Sequence, residues 1–145
     1  MEVYRISAVT LKVKDVGESC KFYSKLPGFA LVYREATDRL ATFEVGKGTK
    51  MYLNLQSAGE ISKVIPADPD KARKDFGRII FHTDDVDGLY KFMRNDSNIS
   101  QAALFENEPA DAAWGERFFH LREPDGYQLS FAQPITKETE KYYCE

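Results

Sequence analysis

The chain has 145 residues, a length that suits one domain of ordinary size. Hydrophobic residues make up 43% and charged residues 30%, a globular composition that excludes a disordered or fibrous chain. The 20 basic residues are outnumbered by 23 acidic ones, and a net charge of −3 does not create the positive field that nucleic-acid binders use.

The sequence also lacks membrane and secretion signals. No apolar run is long enough for a transmembrane helix, and the N-terminus, Met1-Glu2-Val3-Tyr4-Arg5, shows no signal-peptide pattern. The two cysteines, Cys20 and Cys144, lie far apart and form no CxxC pair, so we expect two reduced thiols. These features predict a cytoplasmic protein without membrane or nucleic-acid partners.

The first half of the chain predicts a strand, a helix and three more strands. Residues 6–13 alternate between apolar and polar side chains, as a half-buried strand does. Asp15, with Glu18 three residues later, is typical of a helix N-cap. The helical spacing continues to Leu26, and Gly28 predicts the end of the helix. Further strands are predicted at 29–34, 40–45 and 50–56, with a turn at 46–48 joining the last two as a hairpin.

The same order returns in the second half. A strand at 77–83 precedes a helix that begins after Asp84 or Asp85, and a short strand is predicted at 101–105. Two more strands, 117–122 and 127–132, are joined by the turn Glu123-Pro124-Asp125-Gly126. We therefore expect a first module at 1–57, a linker at 58–75, a second module at 76–133 and a polar tail at 134–145, all in one structural domain.

An internal repeat supports this division. Asp15 matches Asp85, and Lys21-Phe22 matches Lys91-Phe92, both with a separation of 70 residues. Leu53-Asn54-Leu55 matches Leu129-Ser130-Phe131 with a separation of 76 residues. Because antiparallel hairpins follow each helix, the repeat predicts an α+β fold of two tandem βαβββ modules.

Several short motifs occur in the order of a known family. They are Val9-Thr10-Leu11-Lys12-Val13-Lys14-Asp15, Phe22-Tyr23, Leu26-Pro27-Gly28-Phe29, Trp114-Gly115 with Arg117, and Arg122-Glu123-Pro124-Asp125-Gly126. Together they resemble the vicinal oxygen chelate superfamily of glyoxalases, bleomycin-resistance proteins and extradiol dioxygenases. The resemblance covers roughly residues 5–133 and implies paired modules whose curved mixed sheet surrounds a cleft. It also implies a homodimer.

The chelating members of that family hold a divalent metal with His, Glu or Gln at four cleft positions. The resemblance places these positions at Ala8, Asn54, Arg78 and Ser130 of this chain. Alanine offers no ligand atom, arginine is a permanent cation, and the amide and hydroxyl are weak ligands. We therefore expect no metal and no other cofactor, which removes the usual basis for glyoxalase, isomerase or dioxygenase activity.

Other polar residues are candidates for the cleft. Strand alternation places Arg78 and His82 on one face, and places His120 with Phe118 on the face away from the helix. The two histidines act either as a base, a hydrogen-bonding pair or an unusual metal site, or they only satisfy local hydrogen bonds, which is the commoner situation. Glu44 matches His120 in the repeat and is a possible partner for them.

Arg78 suits a carboxylate or phosphate ligand, or alternatively an internal ion pair with Glu44. Trp114, the single tryptophan, stacks on a ligand, covers a dimer contact or simply packs. Neutral hydrogen-bonding groups for the cleft floor come from Tyr52, Asn54, Gln128 and Ser130.

These observations favour a metal-independent protein that binds a small molecule and sequesters it, as the bleomycin-resistance branch binds a drug. Arg78 favours an anionic ligand. Two alternatives stay open: a lyase, isomerase or dioxygenase-like enzyme that uses Arg78, His82 or His120 on a small anionic substrate, and a structural or regulatory homodimer without a ligand.

Overall fold

The computed structural model describes residues 1–2, 4–58 and 74–136. The chain divides into two compact units, Met1–Pro66 and Ala67–Glu145. Each unit contains a mixed β-sheet with helix packed against it, which confirms the α+β class. The boundaries of the modules, the linker and the tail remain predictions. Most of the linker, residues 137–145 of the tail and the second cysteine lie outside the described residues.

The first unit has the predicted βαβββ order. Its elements are β1 (Ala8–Val13), α1 (Val16–Tyr23), β2 (Phe29–Arg34), β3 (Leu40–Val45) and β4 (Met51–Ser57). The strands lie in the order β1-β4-β3-β2, with β1 parallel to β4 and the other pairs antiparallel. The hairpin predicted between β3 and β4 is confirmed, and Gly46 and Gly48 adopt the positive φ angles that its turn requires.

Helix α1 begins where the sequence predicts and ends earlier. The Asp15 side chain accepts a hydrogen bond from the Glu18 backbone N–H at 3.0 Å, a helix N-cap. The helix ends at Tyr23, and the Leu26 N–H bonds to the Tyr23 carbonyl three residues before it. The prediction that the helix continues to Leu26 is therefore wrong. Pro27 explains the early end, because a proline disfavours the α conformation of the residue before it.

One face of the first sheet packs on α1. Tyr23, Phe22 and Phe43 are almost completely buried, and the rings of Tyr23 and Phe43 lie 6.0 Å apart. Burial of each such side chain stabilises the fold by about 1.5–3 kcal/mol. Since side chains alternate along a strand, the neighbours of these core residues point to the opposite face of the sheet.

The second unit repeats this plan with additions. Its elements are β5 (Lys74–His82), α2 (Val86–Asn95), α3 (Ser97–Ala102), β6 (Leu104–Phe105), β7 (Ala110–Asp111), β8 (Glu116–Arg122) and β9 (Tyr127–Pro134). The strand order is β5-β9-β8-β6, with β7 paired to β8. Strand β5 runs parallel to β9, as β1 does to β4, so the two sheets correspond strand by strand.

The segment after α2 differs from the prediction. The strand predicted at 101–105 is only two residues long, because α3 occupies Ser97–Ala102. The cause is Asp96, which ends α2 and whose side chain accepts a hydrogen bond from the Ile99 N–H at 3.0 Å, starting a new helix. Strand β7 has no clear signal in the sequence and was not predicted.

Aromatic rings form the core of the second unit. Phe119 is fully buried, and its ring lies 5.3 Å from Tyr90 of α2 and 5.2 Å from Phe131 of β9. At the edge of this core Arg117 bonds to both carboxylate oxygens of Asp87 at 2.9 Å and to Asp111 at 2.8 Å. This fork of hydrogen bonds ties α2, β7 and β8 together.

The predicted turn between β8 and β9 is confirmed. The buried Glu123 carboxylate accepts hydrogen bonds from the backbone N–H groups of Asp125 at 2.6 Å and Tyr127 at 3.1 Å. Gly126 has a φ of +88°, which only glycine adopts without strain. None of the helices in the described part of the chain is long and apolar enough to span a membrane.

Candidate functional site

Each sheet has one face covered by helix and one face opposite it, which we call the helix-free face. The first helix-free face carries the even-numbered side chains of β1, β3 and β4. Strand register places Thr10, Asn54 and Thr42 side by side in one row across β1, β4 and β3. The adjacent row holds Ala8, Tyr52 and Glu44.

Asn54 forms hydrogen bonds to both neighbours in its row. Its side-chain oxygen accepts a hydrogen bond from Thr42 Oγ1 at 2.7 Å, and its Nδ2 donates to Thr10 Oγ1 at 3.2 Å. The amide therefore holds three strands together through their side chains. An amide oxygen directed at a hydroxyl donor is not oriented toward a cation in the space above the sheet.

Glu44 has a partner within its own unit. Its carboxylate lies 2.8 Å from the Lys50 ammonium, and this ion pair raises the pKa of Lys50. The carboxylate that the sequence offered as an alternative partner for Arg78 is thus bonded to Lys50. Tyr52, beside Glu44 in the register, is exposed.

The second helix-free face carries a different set of side chains. Three rows cross β5, β9 and β8: Arg78–Gln128–Arg122, Ile80–Ser130–His120 and His82–Ala132–Phe118. The prediction that Arg78 and His82 share a face with Phe118 and His120 agrees with this register. The central strand β9 contributes small or neutral side chains, whereas larger ones stand on both sides of it.

The two arginines of this face are in different electrostatic situations. Arg122 Nε lies 3.2 Å from Glu106 Oε1, and the same oxygen accepts a hydrogen bond from Gln128 Nε2 at 2.9 Å. Arg78 is exposed, and no carboxylate whose side chain the structure describes, in 1–2, 4–58 and 77–136, pairs with it. One positive charge on this face is therefore not neutralised by a described neighbour.

Three rings form a continuous series beside the arginines. The Trp114 ring stacks on Phe118 with centroids 5.9 Å apart and 27° between planes, and Phe118 lies 4.7 Å from the His120 ring. We call Trp114, Phe118 and His120 the aromatic ladder. Trp114 is 62% exposed, so one face of the ladder's end is accessible for stacking.

The surroundings of His120 favour its neutral form. Burial lowers the pKa of His120, the positive charge of Arg78 lowers it further, and Arg122 adds to this against the opposing effect of Glu106. The buried Nδ1 atom of His120 has no hydrogen-bond partner among the described residues. Since buried polar atoms are normally paired, this nitrogen is an exception in the described part of the chain.

His82 stands further from this group. His82 on β5 pairs with Ala132 on β9, and Ala132 pairs in turn with Phe118 on β8. His120 belongs to the neighbouring row of side chains. His82 is exposed, and it does make an interaction within the chain. The two histidines thus share a face and are two strands apart.

The sheet registers show how the repeat aligns. Asn54 faces Thr42 in the first sheet as Ser130 faces His120 in the second, so His120 corresponds to Thr42. The sequence prediction matched Glu44 with His120 by applying the separation of 76 residues to β3 and β8 as well as to β4 and β9. The registers show that this match is wrong by two residues. Glu44 corresponds to Arg122 instead, because the β3–β4 and β8–β9 turns differ in length.

The four positions of the family's metal site do not fit a divalent cation here. Ala8 has no ligand atom, the Asn54 amide is engaged by two threonines, and Arg78 brings a positive charge. Ser130 supplies one neutral hydroxyl. Across the residues that the structure describes, no three His, Cys, Asp or Glu side chains come together as metal ligands.

Sequence reasoning did not single out Arg122 and Glu106 as site residues. Arg122 follows His120 by two residues on a strand, so alternation alone could have placed it on the same face. Glu106 follows the short strand β6, whose pairing with β8 brings it to Arg122. No local pattern around Glu106 indicates that position.

Comparisons with known proteins agree with this architecture. The profile of the Glyoxalase/Bleomycin resistance protein/Dioxygenase superfamily matches residues 5–131. No curated protein shows a significant match.

Solved structures that are similar include a glyoxalase/bleomycin resistance protein/dioxygenase from Nocardioides, with 22% identity, a TM-score of 0.64, and coverage of 94% of this chain and 87% of the other. A glyoxalase-related enzyme from Fulvimarina pelagi has 14% identity and a TM-score of 0.66, with coverage of 90% and 88%. TioX from Micromonospora sp. ML1 has 20% identity and a TM-score of 0.64, with coverage of 91% and 100%. These likenesses show the fold, and the profile match over most of the chain shows the family: the chain belongs to the Glyoxalase/Bleomycin resistance protein/Dioxygenase superfamily.

Proposed function

We propose that this protein binds a small molecule without a metal ion and sequesters it, and that the second helix-free face is the binding surface. The exposed Arg78 and the aromatic ladder support the choice of this face, and the observation that carries the independence from metal is the row Thr10–Asn54–Thr42. It uses the Asn54 amide, one of the four metal positions of the family, for hydrogen bonds inside the sheet.

Charge supports the same conclusion. A unit positive charge about 4 Å from a divalent ion costs about 8 kcal/mol at an effective dielectric of about 20. Neutral oxygens such as those of Asn54 and Ser130 do not offset a cost of that size. Arg78, which occupies another of the four positions, therefore disfavours a cation and favours an anionic ligand.

Metal content and ligand binding can be measured on the same preparation. Protein purified without chelators should contain far less than one divalent ion per chain by elemental analysis. A thermal-shift screen of metals, small acids and antibiotics should then give stabilisation by organic compounds and none by metals, because a ligand of the native state raises the melting temperature. About one divalent ion per chain, lost in Asn54→Ala or Ser130→Ala, would show that the metal site is present after all.

An enzymatic role for the same face is the second candidate, and the state of His120 favours it. A neutral imidazole with a free ring nitrogen can accept a proton from a bound substrate, provided that the substrate reaches within hydrogen-bond distance. The exposed positive charge of Arg78 would hold an anionic substrate beside it.

The two candidates predict different behaviour of a bound compound. Each compound that stabilises the protein is incubated with it, and its chemical fate is followed by NMR. Sequestration predicts that the compound is recovered unchanged. Turnover that disappears in His120→Ala and persists in His82→Ala would establish catalysis by His120 and replace the sequestering function.

A further inference from the structure

We infer that β2, the outer strand of the first sheet, pairs with β2 of a second copy of the chain and so forms the subunit contact of a homodimer. The contact belongs to the first unit and goes beyond the proposed function, which concerns the second sheet. It follows from three features of the strand: an edge without a strand partner, exposed apolar side chains and flanking charges of opposite sign.

The outer edge of β2 has no strand beside it within the described part of the chain. The first sheet has the order β1-β4-β3-β2, so β2 pairs with β3 on one side and ends the sheet on the other. In an antiparallel ladder, every second residue directs its N–H and C=O away from its partner strand. At an edge these groups fit another extended strand, whose backbone supplies the complementary donors and acceptors.

The side chains of β2 are apolar although they are exposed. Leu31, Val32 and Tyr33 are consecutive, and their exposed fractions are 42%, 52% and 52%. Leu31 pairs with the core residue Phe43 and so lies on the side of the helix, whereas Tyr33 pairs with Thr42 on the helix-free face. The edge therefore offers apolar surface on both sides of the sheet, which a second strand beside it would bury.

The features that normally keep edge strands from pairing are weak in β2. Such strands often carry charges, prolines or bulges. Strand β2 contains no proline, and its one charged residue, Arg34, bonds to Asp38 through Nε at 2.7 Å and Nη2 at 3.0 Å. A bulge between Leu31 and Tyr33 interrupts the regular ladder at one point. We therefore expect a small contact and an association that reverses on dilution.

The charges that flank β2 favour a second copy as the partner, in antiparallel orientation. The exposed Lys25 precedes the strand, and Glu35 follows it directly. A two-fold axis between two β2 strands places the start of each beside the end of the other, so Lys25 of each copy approaches Glu35 of the other. A parallel pairing would instead bring like charges together. One strand thus supplies both halves of a symmetric contact.

Sedimentation of the full chain over a range of concentration, combined with hydrogen exchange, tests this contact. We expect an equilibrium between monomer and dimer. The backbone amides of β2 should exchange more slowly as the fraction of dimer rises, because pairing removes them from water. The amides of β6, which ends the second sheet, are the internal reference and should exchange at the same rate at every concentration.

Variants assign the contact to β2. The double variant Leu31→Lys and Val32→Lys should keep the circular dichroism of the parent chain and raise the dissociation constant of the dimer by about tenfold or more, because exposed apolar side chains become charged. The matched control is Phe92→Lys, the same change at an exposed side chain of α2, and it should leave the dissociation constant unchanged. Glu35→Lys should weaken the dimer, and the further replacement Lys25→Glu should restore it.

Several outcomes would overturn the inference. They are a monomer at all concentrations, a dimer with the same dissociation constant in the parent chain and in the double lysine variant, and a dimer whose β2 amides exchange as fast as those of the monomer. If the lysine variant does not fold, the exchange measurement on the parent chain still decides. The proposed function fails separately, when no compound of the thermal-shift screen stabilises the protein.

Discussion

At the scale of single residues, the most informative side chain is His120. Its ring contacts Phe118, its Nδ1 lacks a described partner, and two arginines act on its charge. An unpaired buried nitrogen normally costs stability. Replacement of His120 by an apolar ring removes this unpaired atom and tests how much stability it costs.

The lowered pKa of His120 predicts a specific dependence of stability on pH. Its folded-state pKa lies below the ordinary value of 6.5, so the unfolded chain takes up the proton first as pH falls. This residue therefore causes no loss of stability above about pH 7 and a growing loss as pH falls through its unfolded and then its folded pKa. We expect urea unfolding to show a smaller loss between about pH 7.5 and about pH 5 in His120→Phe than in the parent chain.

His82→Phe is the control for that measurement, since it removes the other histidine of the same face, which is exposed. An identical loss of stability with pH in the parent chain and in His120→Phe would show that His120 titrates normally in the folded protein.

At the scale of elements, the N-terminus of α2 depends on one contact. The Asp85 carboxylate accepts a hydrogen bond from the Gly88 N–H at 2.9 Å, and a Cβ at position 88 would overlap that carboxylate. The cap and a side chain at position 88 thus exclude each other. This explains a glycine in the first turn of a helix, where it otherwise lowers stability.

Replacement of Gly88 should therefore depend on Asp85. In an ordinary helix Gly→Ala adds about 0.5–1 kcal/mol of stability. Here Gly88→Ala should give no gain or a net loss, because it displaces a cap that contributes about 1 kcal/mol. In the Asp85→Ala background the same replacement should recover the ordinary gain, and chemical denaturation of the four proteins measures this coupling. Additive effects of the two replacements would contradict the overlap.

At the scale of the whole molecule, the family to which the chain belongs suggests a symmetric assembly. We expect a homodimer, in which the same surface of both subunits forms the contact. The chain has a mass of 16.6 kDa, so the dimer should sediment at about twice this mass. Analytical ultracentrifugation over a wide range of protein concentration makes the test, and a single species of monomer mass throughout would exclude the dimer.

The two sheets have the same plan but differ in the hydrogen bonding of one corresponding row of side chains. In the first, the row Thr10–Asn54–Thr42 satisfies its own hydrogen bonds. In the second, the corresponding row ends in His120, which does not. The two modules therefore share one plan and differ in how this row of side chains is hydrogen-bonded.

The sequence by itself determined the family, the α+β class, most strand bounds and, by alternation, the faces of the residues it assigned on β1, β5 and β8. These features depend on local patterns: alternation along strands, a cap at Asp15 and another at Asp84 or Asp85, and turn residues such as Gly126. Repetition of the patterns at a nearly constant spacing also revealed the two modules. Local physical chemistry is sufficient for such features, because each is set by neighbours within one turn or one strand.

Only the tertiary structure decided which side chains meet. Several contacts join residues from different strands or loops. Asn54 bonds to two threonines, Glu44 pairs with Lys50, and Glu106 pairs with Arg122. The correct partner of His120 in the repeat followed from strand register, which a difference in turn length shifts by two residues. Such contacts depend on the closure of loops and the pairing of strands, and no spacing within a single segment records them.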